Sequence, residues 1–183
     1  MIVDIPTIET PRLLLRPHRL EDFEACLAQY SDPEIVKHLG GVPFNRTQSW
    51  IRFVRYAGLW HHLGFGYFAV EEKATGLFAG ECGFMDLQRG MTPSLDGTME
   101  AGWAFGVPFQ GRGYAREALA ACLDWGRRHG PRDRITAIID PGNTRSLRLA
   151  AGVGFVEFAR SMLGEQPMIV FELRGRERRS GQV

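Results

Sequence analysis

The chain has 183 residues, with 22 Lys and Arg against 21 Asp and Glu, for a formal net charge of +1. That length suits one domain with a real core, and the charge balance offers no general pull on nucleic acid or an anionic membrane. Cys26, Cys82 and Cys122 are widely spaced in apolar stretches with no Cys-x-x-Cys pair, which suggests reduced core thiols and a cytoplasmic location. Asp4 and Pro6 stand where a signal peptide would be basic and then apolar, and no apolar run approaches a membrane span.

In chain order, residues 12–16 read as a short apolar strand closed by Pro17. Leu20, Phe23, Leu27 and Tyr30 recur at helical spacing, so residues 20–30 are expected to be an amphipathic helix. Ser31 and Glu34, with Pro33 between them, form a capping-box pattern that opens a second short helix, ended by Gly40-Gly41. Asn45 and Gln48 start a third helix, so the Asn45-Arg46-Thr47 sequon is better read as a cap. Trp50, Ile51, Val54 and Leu59 are its expected buried stripe. Residues 64–72 and 77–87 read as strands of a hairpin about Thr75-Gly76. A polar loop over 88–97 then leads to a strand at 98–107.

Beyond residue 115, Ala118, Leu119, Cys122 and Trp125 keep a period of about 3.6 until Gly130-Pro131. A strand over 134–139, a short helix over 143–152 and strands over 155–162 and 168–173 complete the order. Residues 1–174 are read as the domain and 175–183 as a basic tail. The sequence shows no repeats and no linker. The element order implies one mixed α/β sheet flanked by helices.

Between the 98–107 strand and the next helix lies Gln110-Gly111-Arg112-Gly113-Tyr114-Ala115. Two glycines let consecutive N–H groups face one concavity, and the helix adds free N–H groups and a positive dipole end. Such a nest binds phosphate. No Gly-x-x-x-x-Gly-Lys-Ser/Thr occurs, and a dinucleotide fingerprint would need a third glycine where Arg116 stands. A lone Gly-x-Gly also fits an ordinary strand-to-helix turn.

The surroundings carry more. Gln-x-x-Gly-x-Ala after a strand resembles the acetyl-CoA loop of the GCN5-related N-acetyltransferases (GNAT). The run from Glu100 to Ala118 is similar to the branch that acetylates ribosomal-protein N-termini. Thr10-Pro11-Arg12 with the strand after it, Leu20 to Phe23, Ser31 to Glu34, Asp140 to Leu149 and Gly154-Phe155 match that branch in order. The resemblance implies an α/β single-domain fold with a mixed, mostly antiparallel central sheet, splayed middle strands and flanking helices.

It also implies acetyl-CoA as co-substrate, direct transfer to a primary amine in a ternary complex, and a site. The pyrophosphate would meet the amides of Gly111, Arg112, Gly113, Tyr114, Ala115 and Arg116, with Gly113 avoiding an obstructing Cβ. The Arg112 and Arg116 side chains would add charge, and Arg145 and Arg148 would approach the phosphates. Trp103, Ala104 and Phe105 would offer main-chain groups to the pantetheine arm, the two aromatics also serving as core. Asn143 matches the family asparagine that contacts this arm, or is a plain helix N-cap.

Glu100 is the candidate general base, with Glu81 as competitor and an exposed strand glutamate as the bland alternative. The Phe105 amide would stabilise the oxyanion. The family's tyrosine position holds Ala150; the resembled branch often carries a serine three residues after the asparagine, which implies Ser146 as the candidate acid, or it is an ordinary first-turn serine. Ala151-Gly152 replaces the usual Glu-Lys pair at the acceptor end. No metal is expected, since His61-His62 are adjacent and His18, His38 and His129 isolated.

Deprotonating an α-amine of pKa near 8 at pH 7 costs about 1.4 kcal/mol, a lysine amine about 4.6 kcal/mol. An α-amine or another weakly basic amine is therefore the better match, and the resemblance to the ribosomal-protein branch makes a protein or peptide N-terminal amine the expected acceptor. A small-molecule amine (polyamine, amino acid or antibiotic) stays open, as does a non-catalytic acyl-CoA sensor. No nucleic acid or membrane partner is expected, and a homodimer is open.

Overall fold

The computed structural model describes residues 4–173, so the tail expected at 175–183 lies outside the described residues. Eight strands form one sheet: β1 (Ile8–Glu9), β2 (Leu13–Arg16), β3 (Tyr67–Glu72), β4 (Leu77–Met85), β5 (Met99–Phe105), β6 (Ile135–Ile139), β7 (Phe155–Leu163) and β8 (Gln166–Leu173). Their order is β1-β2-β3-β4-β5-β6-β8-β7. All neighbours are antiparallel except β5 and β6.

The helices are α1 (Phe23–Ser31), α2 (Pro33–Val36), α3 (Arg46–Leu63), α4 (Tyr114–His129) and α5 (Thr144–Gly152). α4 buries Tyr114, Ala118, Leu119, Cys122 and Leu123 against one sheet face, where Leu13, Leu15, Phe68, Val70, Cys82 and Phe84 await them. α1 and α3 cover the other face, with Phe23, Cys26 and Phe53 in one cluster and Tyr56, Leu59, Tyr67 and Met85 in another.

Capping sets the helix starts. Asn45 Oδ1 accepts from Gln48 N and Gln48 Oε1 accepts from Asn45 N, each at 2.9 Å, the reciprocal box expected. At α2 the cap is Asp32 rather than Ser31, because Pro33 takes the first helical position. The stripe expected for α3 is corrected in three of its four residues: Trp50, Ile51 and Val54 are 43%, 60% and 45% exposed, Leu59 is buried as expected, and Phe53, Tyr56 and Trp60 complete the buried face. The sheet beneath chooses the aromatic face, because Tyr56 stacks on Tyr67 and the Trp60 indole donates to Tyr67 O at 3.0 Å.

β5 and β6 pair only through Met99–Ile135 and Glu100–Thr136 and then diverge. Thr98 and Thr136 hydroxyls join the closed end at 2.8 Å. Past it, β6 pairs with β8 and β5 stays on β4. A wedge therefore opens in the middle of the sheet.

Candidate active site

The wedge exposes one edge of β5. Gly106 N–H donates to Ala79 O, and antiparallel pairing alternates residue by residue. The main chains of Ala104, Gly102 and Glu100 therefore bond to β4, and those of Ala101, Trp103 and Phe105 turn to the wedge. The Ala104 carbonyl duly points at Gly80, where an added Cβ would stand 2.3 Å from it. The expectation that Ala104 offers its backbone is thereby corrected by the pleat, although the residue still lines the cleft. Phe105 O is taken by Gln110 Nε2 at 3.0 Å, which leaves its N–H, and Gln110 Oε1 accepts from Arg145 at 2.8 Å.

The chain turns at Val107–Phe109 and enters α4 through Gly111 (φ +73°) and Gly113 (φ +78°). Both occupy the left-handed region, so glycine is required here by backbone conformation. A Cβ on Gly113 would meet little but an Arg12 nitrogen at 3.3 Å. Gly113 is the N-cap of α4 and supplies no capping side chain, so the first-turn amides keep their donors for a ligand.

Around this turn a cleft of about 950 Å³ is lined by Gly111, Gly113, Ala115, Arg116, Asn143 and Arg148, among others. The amides, the charged rim and the volume fit a diphosphate with a long amide-bearing arm. The Arg112 side chain does not line it: its guanidinium bonds Glu72 at 2.6 Å and lies over the Tyr114 ring. Tyr114 is 4% exposed and its hydroxyl donates to Glu72, so only its main chain can serve the cleft. Sequence reasoning missed Arg12, which donates to Arg112 O at 2.8 Å and to Glu117 at 2.7 Å, fixing the loop to β2.

α5 starts at Asn143, whose Oδ1 caps Ser146 N at 3.0 Å. The capping alternative is thus realised, with the amide NH₂ left over for the cleft. Ser146 Oγ accepts from the Trp103 indole at 3.2 Å. Trp103, Ala104, Asn143 and Ser146 line this cleft and also a second cavity of about 420 Å³, on the α3 face of the sheet. The junction of the two spaces lies at the wedge.

Glu100 lines the second cavity, 4% exposed, and its two oxygens accept from Arg89 at 2.9 and 2.8 Å. A carboxylate has about four lone-pair sites, so each oxygen can still accept from water. Glu81 lines neither space. It is wholly buried, accepts from the hydroxyls of Tyr30 (2.8 Å) and Tyr56, and stands 3.5 Å from His18 and 3.9 Å from Arg52. Burial opposes its charge, but His18, Arg52 and Tyr56 prevail and hold the carboxyl down at about 2. A carboxylate so buried and so satisfied is a structural anion, not a base for a ligand in the cleft.

Tyr67 covers Gly102 so closely that a Cβ there would lie 1.8 Å from the phenol oxygen. Burial raises its phenol well above the usual value, so it stays protonated. Arg52, Arg55 and Arg89 complete the polar lining of the second cavity. No sequence motif flagged them.

This fold, a splayed sheet with an amide-rich turn at the wedge, defines an acyl-CoA-type transferase scaffold. A model of the acetyltransferase (GNAT) domain matches residues 12–156, and the chain belongs to that family of acetyltransferases. Among curated relatives, YkkB of Bacillus subtilis (strain 168) is 31% identical over 146 residues, covering 78% of this chain and 80% of the relative. The N-acetyltransferase p20 of Bacillus licheniformis is 30% identical, covering 81% and 82%. A GNAT-family acetyltransferase structure from Bordetella pertussis superposes with a TM-score of 0.81 at 29% identity, over 93% of this chain and all of that one. A ribosomal-protein-serine acetyltransferase and a spermidine N-acetyltransferase, both of Vibrio cholerae, share the fold at 21% and 17% identity. No helix among the described residues is long and apolar enough to cross a membrane.

Proposed function

We propose that the chain transfers an acetyl group from acetyl-CoA directly to an α-amine, both substrates being bound together. One observation carries this reading: a large amide-rich cleft and a smaller polar cavity meet at the free edge of β5, beside Ser146. The pyrophosphate belongs at the turn 111–116, the pantetheine arm along the free main chain of Trp103 and Phe105, and the amine in the second cavity. The acceptor read from sequence, a protein or peptide N-terminus as in the ribosomal-protein branch, has the weak basicity the site needs. A small amine is the second reading, favoured by the size of the cavity.

In this reading the amine nitrogen attacks the thioester carbon while the Phe105 N–H faces the developing oxyanion. Glu100 lies three residues, about 10 Å, along the strand from Trp103, so it receives the ammonium proton through water. Ser146 supplies the proton to the departing sulfur. The Trp103 indole can only donate, so Ser146 Oγ accepts from it and keeps its own proton to give.

The test is thiol release from acetyl-CoA across a panel of amines. Glu100→Gln should lower kcat by roughly 10²–10⁴-fold with little change in the KM for acetyl-CoA, as loss of a general base does. Ser146→Ala should lower kcat by roughly tenfold or more. Undiminished turnover in both variants removes these assignments.

A further inference from the structure

The second cavity contains more positive charge than its own acids balance. Its ionisable lining is Arg52, Arg55, Arg89, Glu100, Asp140 and His38. Glu100 neutralises Arg89 through the two-fold contact described above, and Asp140 pairs with His38 at 2.8 Å. Arg52 donates to the Tyr30 hydroxyl at 2.8 Å and lies 4.1 Å over its ring, with Glu81 behind it and shared with His18. Arg55 has no carboxylate partner among the described residues. The Nε atoms of Arg52 and Arg55 are buried with no acceptor. Burial, and then the charge of Arg52, push the Arg55 pKa down.

Arg52 and Arg55 are three positions apart on α3, so their side chains share one face and repel each other. Two guanidinium groups that repel each other, the Arg55 one with no carboxylate partner among the described residues, favour an anion beside them. A polyamine would add repulsion, and an uncharged amine would leave the donors unmet. A carboxylate matches the planar fork. The lining also includes the apolar side chains of Met85, Leu87, Leu163 and Met168.

Resting on the acetyltransferase reading above, we propose that the acceptor is a free α-amino acid with an apolar side chain, its carboxylate held by Arg55 with help from Arg52. The cavity of about 420 Å³ is at the small end for ligand sites and suits a molecule of this size. Pairing also helps the chemistry. A free amino acid's ammonium is stabilised by its own carboxylate, and a guanidinium that neutralises the carboxylate makes the amine easier to deprotonate.

The experiment measures kcat/KM by thiol release for L-leucine, L-leucinamide, spermidine and a leucine-initiated tripeptide, with acetyl-CoA saturating. The amide has the less basic amine, so basicity alone favours the amide. Leucine is expected to exceed leucinamide by roughly 10–100-fold, the range of a charge-assisted contact. Arg55→Met should bring that ratio to near one through the KM for leucine, and Arg55→Lys should restore part of it, with the KM for acetyl-CoA in place. Equal or better turnover of leucinamide, spermidine or the tripeptide by the unaltered enzyme overturns the carboxylate proposal alone. So does an Arg55→Met variant that slows leucine and leucinamide alike. Absence of thiol release with every amine overturns the acetyltransferase reading as well.

Discussion

Gly113 shows how a single residue sets which main-chain groups a turn leaves free. At φ +78° it turns the chain so that α4 begins with unspent N–H groups. A β-branched residue is strongly disfavoured in that region. Gly113→Val should therefore reshape the turn rather than the core, since the nearest atom to an added Cβ is an Arg12 guanidinium nitrogen at 3.3 Å and no core side chain lies within reach. Calorimetric titration with acetyl-CoA is expected to give a Kd at least about tenfold weaker, because a few misdirected amides remove about 1.4 kcal/mol or more. Unaltered affinity would detach the turn from the coenzyme. Asn143 makes a related point: its carbonyl oxygen caps α5, and only its NH₂ is spare.

At the scale of elements, the join between β2 and α4 holds the anion turn in place. Glu117 in the first turn of α4 accepts from Thr10 Oγ1 (2.6 Å), Arg12 N (2.9 Å) and Arg12 Nε (2.7 Å). Removing it as Glu117→Ala loses three hydrogen bonds, the two from Arg12 open to water, a cost of about 1–3 kcal/mol. For a chain of this length that is a Tm drop of roughly 3–10 °C. Thermal unfolding should show this fall, and acetyl-CoA binding should weaken with it because Arg12 also holds Arg112 O. A stable variant with wild-type affinity would show that the turn holds itself. The wedge obeys a related logic: β6 leaves β5 after two residue pairs while its other edge stays paired with β8, so the free edge of β5 is built by the divergence of two neighbouring strands.

Across the whole molecule, buried carboxylates tie stability to pH. Glu81 is held at about 2. Asp22 is also lowered: burial opposes its charge, but Arg16 bonds both of its oxygens. A folded-state pKa below the unfolded value adds stability that is complete above the unfolded carboxylate range and is lost as pH falls through the folded value. The window here runs from about 4.5 downward to about 2. Tm should fall steeply over that interval. Glu81→Gln should flatten the fall while lowering Tm at neutral pH, since an unpaired buried Arg52 costs about 3–5 kcal/mol. An acid limb as steep in the variant as in the parent would mean that Glu81 is not its source.

The sequence by itself determined the order of the elements after β1, the α/β class, the family, the glycine turn before α4 and the Asn45–Gln48 cap. Each depends on neighbours in the chain: period, glycine and proline placement, or a motif read in order. Tertiary structure alone decided which face of α3 is buried, because aromatic packing on β3 overrode the apolar residues Trp50, Ile51 and Val54. It also decided that Trp103 and Phe105, not Ala104, face the wedge, since pleat and pairing partner fix which groups are free. Arg52, Arg55, Arg89 and Glu100 come from a helix, a loop and a strand, and they meet only because the sheet carries them to one cavity. Local pattern says nothing of such a meeting, because charge complementarity across space has no period along the chain.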